Sequence, residues 1–171
     1  MKIKGLFLVT CLASIGLAQS VTVIEATHGM GRVESTDGRV GEFNFEVART
    51  RNAEGVEKVG GRSVFNQARN AHGRALRIEI RPGRIATNAG PPKAGEFGGR
   101  AVMTIPGENR SDPPRRIEGE AVVAVIDARL PDTTTDARDR YSIRFRSGNG
   151  NMTFEFGGPV GRGDVVVRPR Q

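Results

Sequence analysis

Apolar and polar side chains alternate with a period of two along much of this chain, and helical periodicity is hard to find. In residues 41–49, Phe43, Phe45 and Val47 share one face, while Glu42, Asn44 and Glu46 share the other. Residues 74–81 repeat the pattern, with Leu76, Ile78 and Ile80 opposed to Arg77, Glu79 and Arg81. Residues 140–146 set Tyr141, Ile143 and Phe145 on one side, and Met152, Phe154 and Phe156 alternate with Thr153 and Glu155. Each segment predicts a strand with one buried and one wet face, as in an antiparallel sheet. The stretch 120–127 differs, because residues 121–126 are apolar on both faces, which predicts a central strand covered on each side. Residues 165–167 read as a second covered strand or a terminal one. Shorter candidates are 21–26, 31–35, 63–68, 84–87 and 100–105.

Turn residues divide these segments. Asp37-Gly38 separates residues 33–35 from 39–47, a two-residue hairpin signal. Pro82-Gly83 is expected to split two short strands, and Gly148-Asn149-Gly150-Asn151 to join the Tyr141 and Phe154 strands. The expected fold is all-β: an antiparallel sandwich or partly open barrel of about eight to ten short strands. No linker or internal repeat divides residues 19–171, so one domain is expected.

The first stretch changes the picture, because it reads as an address. Lys2 and Lys4 precede an uncharged, mostly apolar run from Gly5 to Leu17, with Gly16 and Ala18 placed for cleavage before Gln19. Thirteen apolar-run residues fall short of the roughly 17–25 that a membrane span needs. Residues 1–18 are therefore expected to be a cleaved signal peptide, and the product to be secreted or periplasmic, with no membrane span after processing. Cys11 is the only cysteine, so the processed chain has no disulfide, thiolate nucleophile or cysteine-bound metal. Burial alone must hold it together.

The whole chain carries +7, two of those charges on the leader lysines, which leaves 24 basic against 19 acidic residues, or +5. A basic surface attracts polyanions. The densest run is Arg138, Arg140, Arg144 and Arg146, a candidate polyanion-binding row, although Asp132, Asp136 and Asp139 lie among it. There is no Trp and a single Tyr, so nucleic acid, which favours aromatic stacking platforms, is a disfavoured partner.

A series of short elements resembles a known family. It runs from Glu42-Phe43-Asn44-Phe45, through Gly61 with Phe65 and Ala101 in a strand ending at Gly107, to Val125-Ile126-Asp127. Asp139-Arg140-Tyr141-Ser142-Ile143, Gly157-Gly158 and Gly163-Asp164-Val165-Val166-Val167 complete it. The order and spacing are similar to those of the post-COAP-type β domain of bacterial surface and exported proteins, over residues 29–167. The resemblance implies an all-β fold, export and an accessory role. It carries over no catalytic residue and no cofactor.

Candidate chemistry is sparse. His28 and His72 each precede glycine in turn-like sequence, lack metal-ligand spacing, and read as turn residues. Glu118 and Glu120 lie two apart on one strand face. A glycosidase needs carboxylates on opposite sides of a cleft, so a solvated pair facing cross-strand arginines is the preferred account over a carboxylate-dependent hydrolase. Asp127, Asp132, Asp136 and Asp139, with Thr133, Thr134 and Thr135 between, offer the hard oxygens that calcium takes. Against that site stand the missing loop glycine and the nearby Arg129, Arg138 and Arg140. The function these readings favour is a secreted non-catalytic module, structural or interacting, whose partner is a protein or glycan of the cell envelope. A secreted binder of acidic polymers is the alternative.

Overall fold

The structure, a computed structural model, describes residues 21–109, 111–128 and 138–170. Within them the chain forms eight antiparallel strands: β1 (Thr22–Glu34), β2 (Val40–Arg51), β3 (Glu57–Gln67), β4 (Leu76–Asn88), β5 (Lys93–Ile105), β6 (Arg115–Asp127), β7 (Arg140–Ser147) and β8 (Thr153–Arg168). Each pairs with the next, and β1 pairs with β8, so the single sheet closes into a barrel. The leader lies outside the described residues.

Alternation locates the core. On β7 the inward Tyr141, Ile143 and Phe145 are buried and the outward Arg140, Ser142, Arg144 and Arg146 are exposed. An eight-stranded barrel is just wide enough for side chains to fill, and here rings fill it. Tyr141 reaches from β7 to stack on Phe43 of β2, centroids 4.3 Å apart and planes 5° from parallel. Phe65 lies 5.9 Å from Tyr141 and 4.9 Å from Phe156, while Phe97 packs on Phe45 at 5.1 Å. Glycines make the room. Gly31 is directly opposite Phe43, and a Cβ on Gly41 would sit 2.5 Å from the Phe65 ring.

Several strands are longer than the sequence pattern suggests. The two segments expected at 21–26 and 31–35 merge into the one strand β1, Thr22–Glu34, because His28 and Gly29 keep their ladder partners Glu46 and Phe45. His28 is therefore a mid-strand, outward residue and not a turn; His72 does sit in the β3–β4 turn closed by the Asn70–Gly73 bridge. Pro82-Gly83 does not split two strands. Pro82 faces Gly99 and Arg84 faces Gly98, so the pair forms a bulge inside β4, a position that tolerates a missing N–H. Residues 165–167 belong to the last part of β8, which pairs with β1 and includes Gly163, with φ of 112° and no room for a Cβ, which would lie 2.1 Å from the Met30 carbonyl oxygen. Finally, β6 is covered on one face only: Ala121, Val123 and Val125 are buried, whereas Val122 and Ile126 are half-exposed and Ala124 is exposed. In a one-sheet barrel nothing packs against the outer face.

Burial of the only tyrosine gives a direct test of this core. The Tyr141 hydroxyl is buried without a hydrogen-bond partner, and loss of solvation raises its pKa above the ordinary phenol value. The unfolded chain then releases its phenol proton near pH ~10 while the folded chain keeps it. Stability is full below that pH and falls above it by up to about 1.4 kcal/mol per pH unit. In an alkaline titration, phenolate absorbance is expected to rise only together with loss of the β-sheet circular dichroism signal. Phenolate at pH ~10 with the sheet signal intact would contradict the packing.

Candidate functional site

With the lumen filled, chemistry is confined to the two mouths and the outer wall. At the mouth where β1 begins, inward polar residues replace the rings. Glu25, only 3% exposed, accepts hydrogen bonds from Arg49 Nε (2.7 Å) and from Thr87 Oγ1 (2.8 Å), so β1 is tied to both β2 and β4. Arg49 Nη2 also donates to the Ile85 carbonyl at 2.8 Å. Beyond them Glu57 meets Arg51 at 2.6 Å and Arg170 at 3.2 Å. The Arg51 hydrogen bond and then these positive charges hold its carboxyl below the usual glutamate range. This is a closed ionic network, with its charges committed to one another.

The same mouth holds two of the four aspartates suggested for calcium. Past Pro159, β8 runs beyond the start of β7 and lacks strand partners on that side. Asp139 supplies them: its Oδ2 accepts from the Val165 N–H at 2.9 Å and its Oδ1 from the Ala128 N–H at 3.0 Å, while its carbonyl accepts from the Val160 N–H at 2.7 Å. Asp127 Oδ2 accepts from the Val167 N–H at 3.2 Å. Both carboxylates thus stand in for ladder carbonyls. Asp132 and Asp136 lie outside the described residues, and no group of three metal-ligating side chains forms among the described ones.

At the opposite mouth, Asp37 in the β1–β2 turn hydrogen-bonds Ser35 and pairs with Arg39 at 2.7 Å. The Ser35 hydrogen bond, with help from Arg39, lowers the Asp37 pKa to about 2. The Arg39 guanidinium lies 5.3 Å from the Phe156 ring centroid, closing the edge of the aromatic core.

The outer wall carries the charge. From the suggested polyanion row, Arg140, Arg144 and Arg146 project outward from β7, and Arg138 is exposed just before it. Arg144 Nε pairs with Glu155 at 2.7 Å, so the row is neutralised at that member, while Arg146 stands opposite Glu120 without closing to a salt bridge. Glu118 and Glu120 point outward together; Glu120 has Arg100 on one side and Arg146 on the other, as cross-strand neighbours. Sequence alone does not single out a second group, Arg62, Arg81 and Arg100, which are far apart in the chain and join only through strand register. No helix among the described residues is long and apolar enough to cross a membrane. The wall also bears Glu79, Arg81, Arg100, Glu120 and Arg144 at mid-strand, where a membrane barrel presents an apolar band. Set against family models, curated proteins and solved structures, the chain matches none.

Proposed function

We propose that this chain is an exported, non-catalytic β-barrel module that works by contact at its outer wall, as a structural or interaction component of the cell envelope or extracellular space. The observation that carries this reading is the filled lumen. The Phe43–Tyr141 stack, with Phe65 and Phe156 beside it, leaves the wall and the mouths as the surface on which a partner can be held. The carboxylates at the first mouth are committed to backbone amides and arginines, which suits a scaffold. The leader-like residues 1–18 and the resemblance to post-COAP-type domains support a secreted or periplasmic place of work. The partner class is an envelope protein or glycan.

Two measurements test the two halves separately. Mass spectrometry of the protein recovered from cells making the full chain is expected to find an N-terminus at Gln19 or within two residues of it. An intact Met1 would end the export reading. A photo-cross-linking residue at Ala124, exposed on the wall, is expected to form adducts with envelope components, whereas one at the buried Ile143 forms none. Equal absence of adducts from Ala124 and from further wall positions would end the contact reading.

A further inference from the structure

Three outward arginines come side by side on consecutive strands. Arg81 of β4 stands directly opposite Arg100 of β5, and Arg62 of β3 follows on the Ser63–Ile80 pair that ends the β3–β4 ladder, lining the same groove as Arg81. Paired strands lie about 5 Å apart, so the backbones that carry Arg81 and Arg100 are separated by about that distance. Like charges directly opposite one another destabilise a sheet, and these three are not neutralised: among the described residues, none has a carboxylate within ion-pair distance. Glu46 opposes Arg62 and Glu120 opposes Arg100 without closing to a salt bridge, and Glu79 is taken by Arg77 at 2.8 Å.

The two sides of the row differ. Toward the mouth where β1 ends, the row itself lines an open groove together with Glu79, Glu118, Glu120 and Arg116. Toward the other mouth lie Gly60 and the bulge residue Gly83, both exposed, and beyond them the buried Gly98. A Cβ built on Gly60 or Gly83 would meet nothing within 4 Å. A fourth arginine, Arg84, follows the bulge, and its guanidinium lies against Gly98, where a Cβ would stand 3.1 Å from Nη2. The result is a strip of bare backbone bordered by four cations, on the side of the row away from the acids.

We infer that Arg62, Arg81, Arg84 and Arg100 form a binding site for an acidic polysaccharide, whose carboxylate or sulfate groups step along the row. This rests on the contact reading above and names the partner class for it. Guanidinium forks suit planar or tetrahedral oxyanions, and the like-charge strain within the free row is relieved when such groups settle between the side chains. Single-stranded nucleic acid is the competing polyanion, but it binds through base stacking as well as charge. The rings of Phe43, Phe45, Phe65, Phe97, Tyr141, Phe145 and Phe156 are all buried inside the barrel, so the strip offers sugars its backbone and its charges, and no stacking platform.

The test is salt elution of the full-length, processed protein from immobilised heparin, with polygalacturonate and a single-stranded DNA oligonucleotide as soluble competitors. Arg81→Gln with Arg100→Gln is expected to weaken heparin binding tenfold or more and to reduce the slope of log affinity against log salt by about two. The charge-matched pair Arg140→Gln with Arg144→Gln should stay within about twofold of wild type. Polygalacturonate should compete better than DNA at equal charge. The first double variant should melt no lower than wild type, since it removes a like-charge contact; a lower melting temperature would itself count against the strained row. Equal weakening by both variants would mean that net charge alone is at work and would overturn the site. Stronger competition by DNA would overturn the polysaccharide assignment. Failure of the wild-type protein to bind heparin at low salt would overturn the site while leaving the cross-linking result, and with it the contact reading, intact.

Discussion

Asp139→Ala is expected to lower the unfolding free energy by about 2–6 kcal/mol, because it strips the acceptor from two buried amides at once, each worth roughly 1–3 kcal/mol when left unsatisfied. The Val165 amide belongs to the part of β8 that closes the barrel onto β1, and the Ala128 amide to the end of β6. One carboxylate therefore fastens three elements where the β7 ladder has run out. Asp139→Asn keeps one acceptor oxygen and should cost about half as much. Urea unfolding followed by circular dichroism measures both: the midpoint should fall while the slope, set by the surface exposed, stays constant. An alanine variant within about 0.5 kcal/mol of wild type, the size of an ordinary surface substitution, would show that the amides are satisfied without this side chain.

Arg49→Met should be comparably damaging, for a different reason. Glu25 is 3% exposed, and Arg49 Nε, 2.7 Å away, is the cation that compensates its carboxylate, with Thr87 Oγ1 donating to the other oxygen. Removing one partner of a buried pair leaves an uncompensated charge and costs about 3–5 kcal/mol, whereas replacing both partners with apolar side chains of similar size is often neutral or better. The double variant Glu25→Leu with Arg49→Met is accordingly expected to recover most of the loss. Recovery distinguishes a charge left stranded from a simple loss of packing, since a packing defect at Arg49 would persist or deepen in the double variant. The neighbouring pair of Arg51 with Glu57 is more exposed, and breaking it should cost far less than breaking the Arg49–Glu25 pair.

How much of this could be read from the residues follows from which interactions are local. Alternation is local: a side chain's face is decided by its neighbours two positions away, so Phe43, Phe45 and Val47, or Tyr141, Ile143 and Phe145, announce their inward face in the sequence itself. The all-β architecture follows from such segments. Strand continuity is less legible. Pro82-Gly83 and His28-Gly29 look like breaks because glycine and proline usually mark turns, and only the facing strand shows that one is a bulge and the other an uninterrupted ladder. The two-faced apolar run of β6 misleads in another way: Ala124 is small enough to lie exposed at little cost, so apolar residues there do not require a cover. Register is not legible at all without the fold. Arg62, Arg81 and Arg100 lie about twenty residues apart, and their meeting depends on the register of β4 with β3 on one side and with β5 on the other. Of the arginines that are close in sequence, Arg144 is neutralised across the sheet by Glu155.

The pairing of β1 with β8 has a consequence for the order of events as the polypeptide is made. The strand that appears early must wait for the one that appears last, and contacts such as Thr27 with Val167 span nearly the whole chain. Until β8 arrives, β1 and β7 each present an unpaired row of amides and carbonyls, and β1 keeps its open row until residues 160–168 appear, the kind of template on which another copy can add a strand. Such distant contacts also slow assembly. The interval before the ring is complete is thus the time of greatest exposure to self-association, and whatever shortens that interval protects the yield of native protein more than any further gain in the finished barrel's stability.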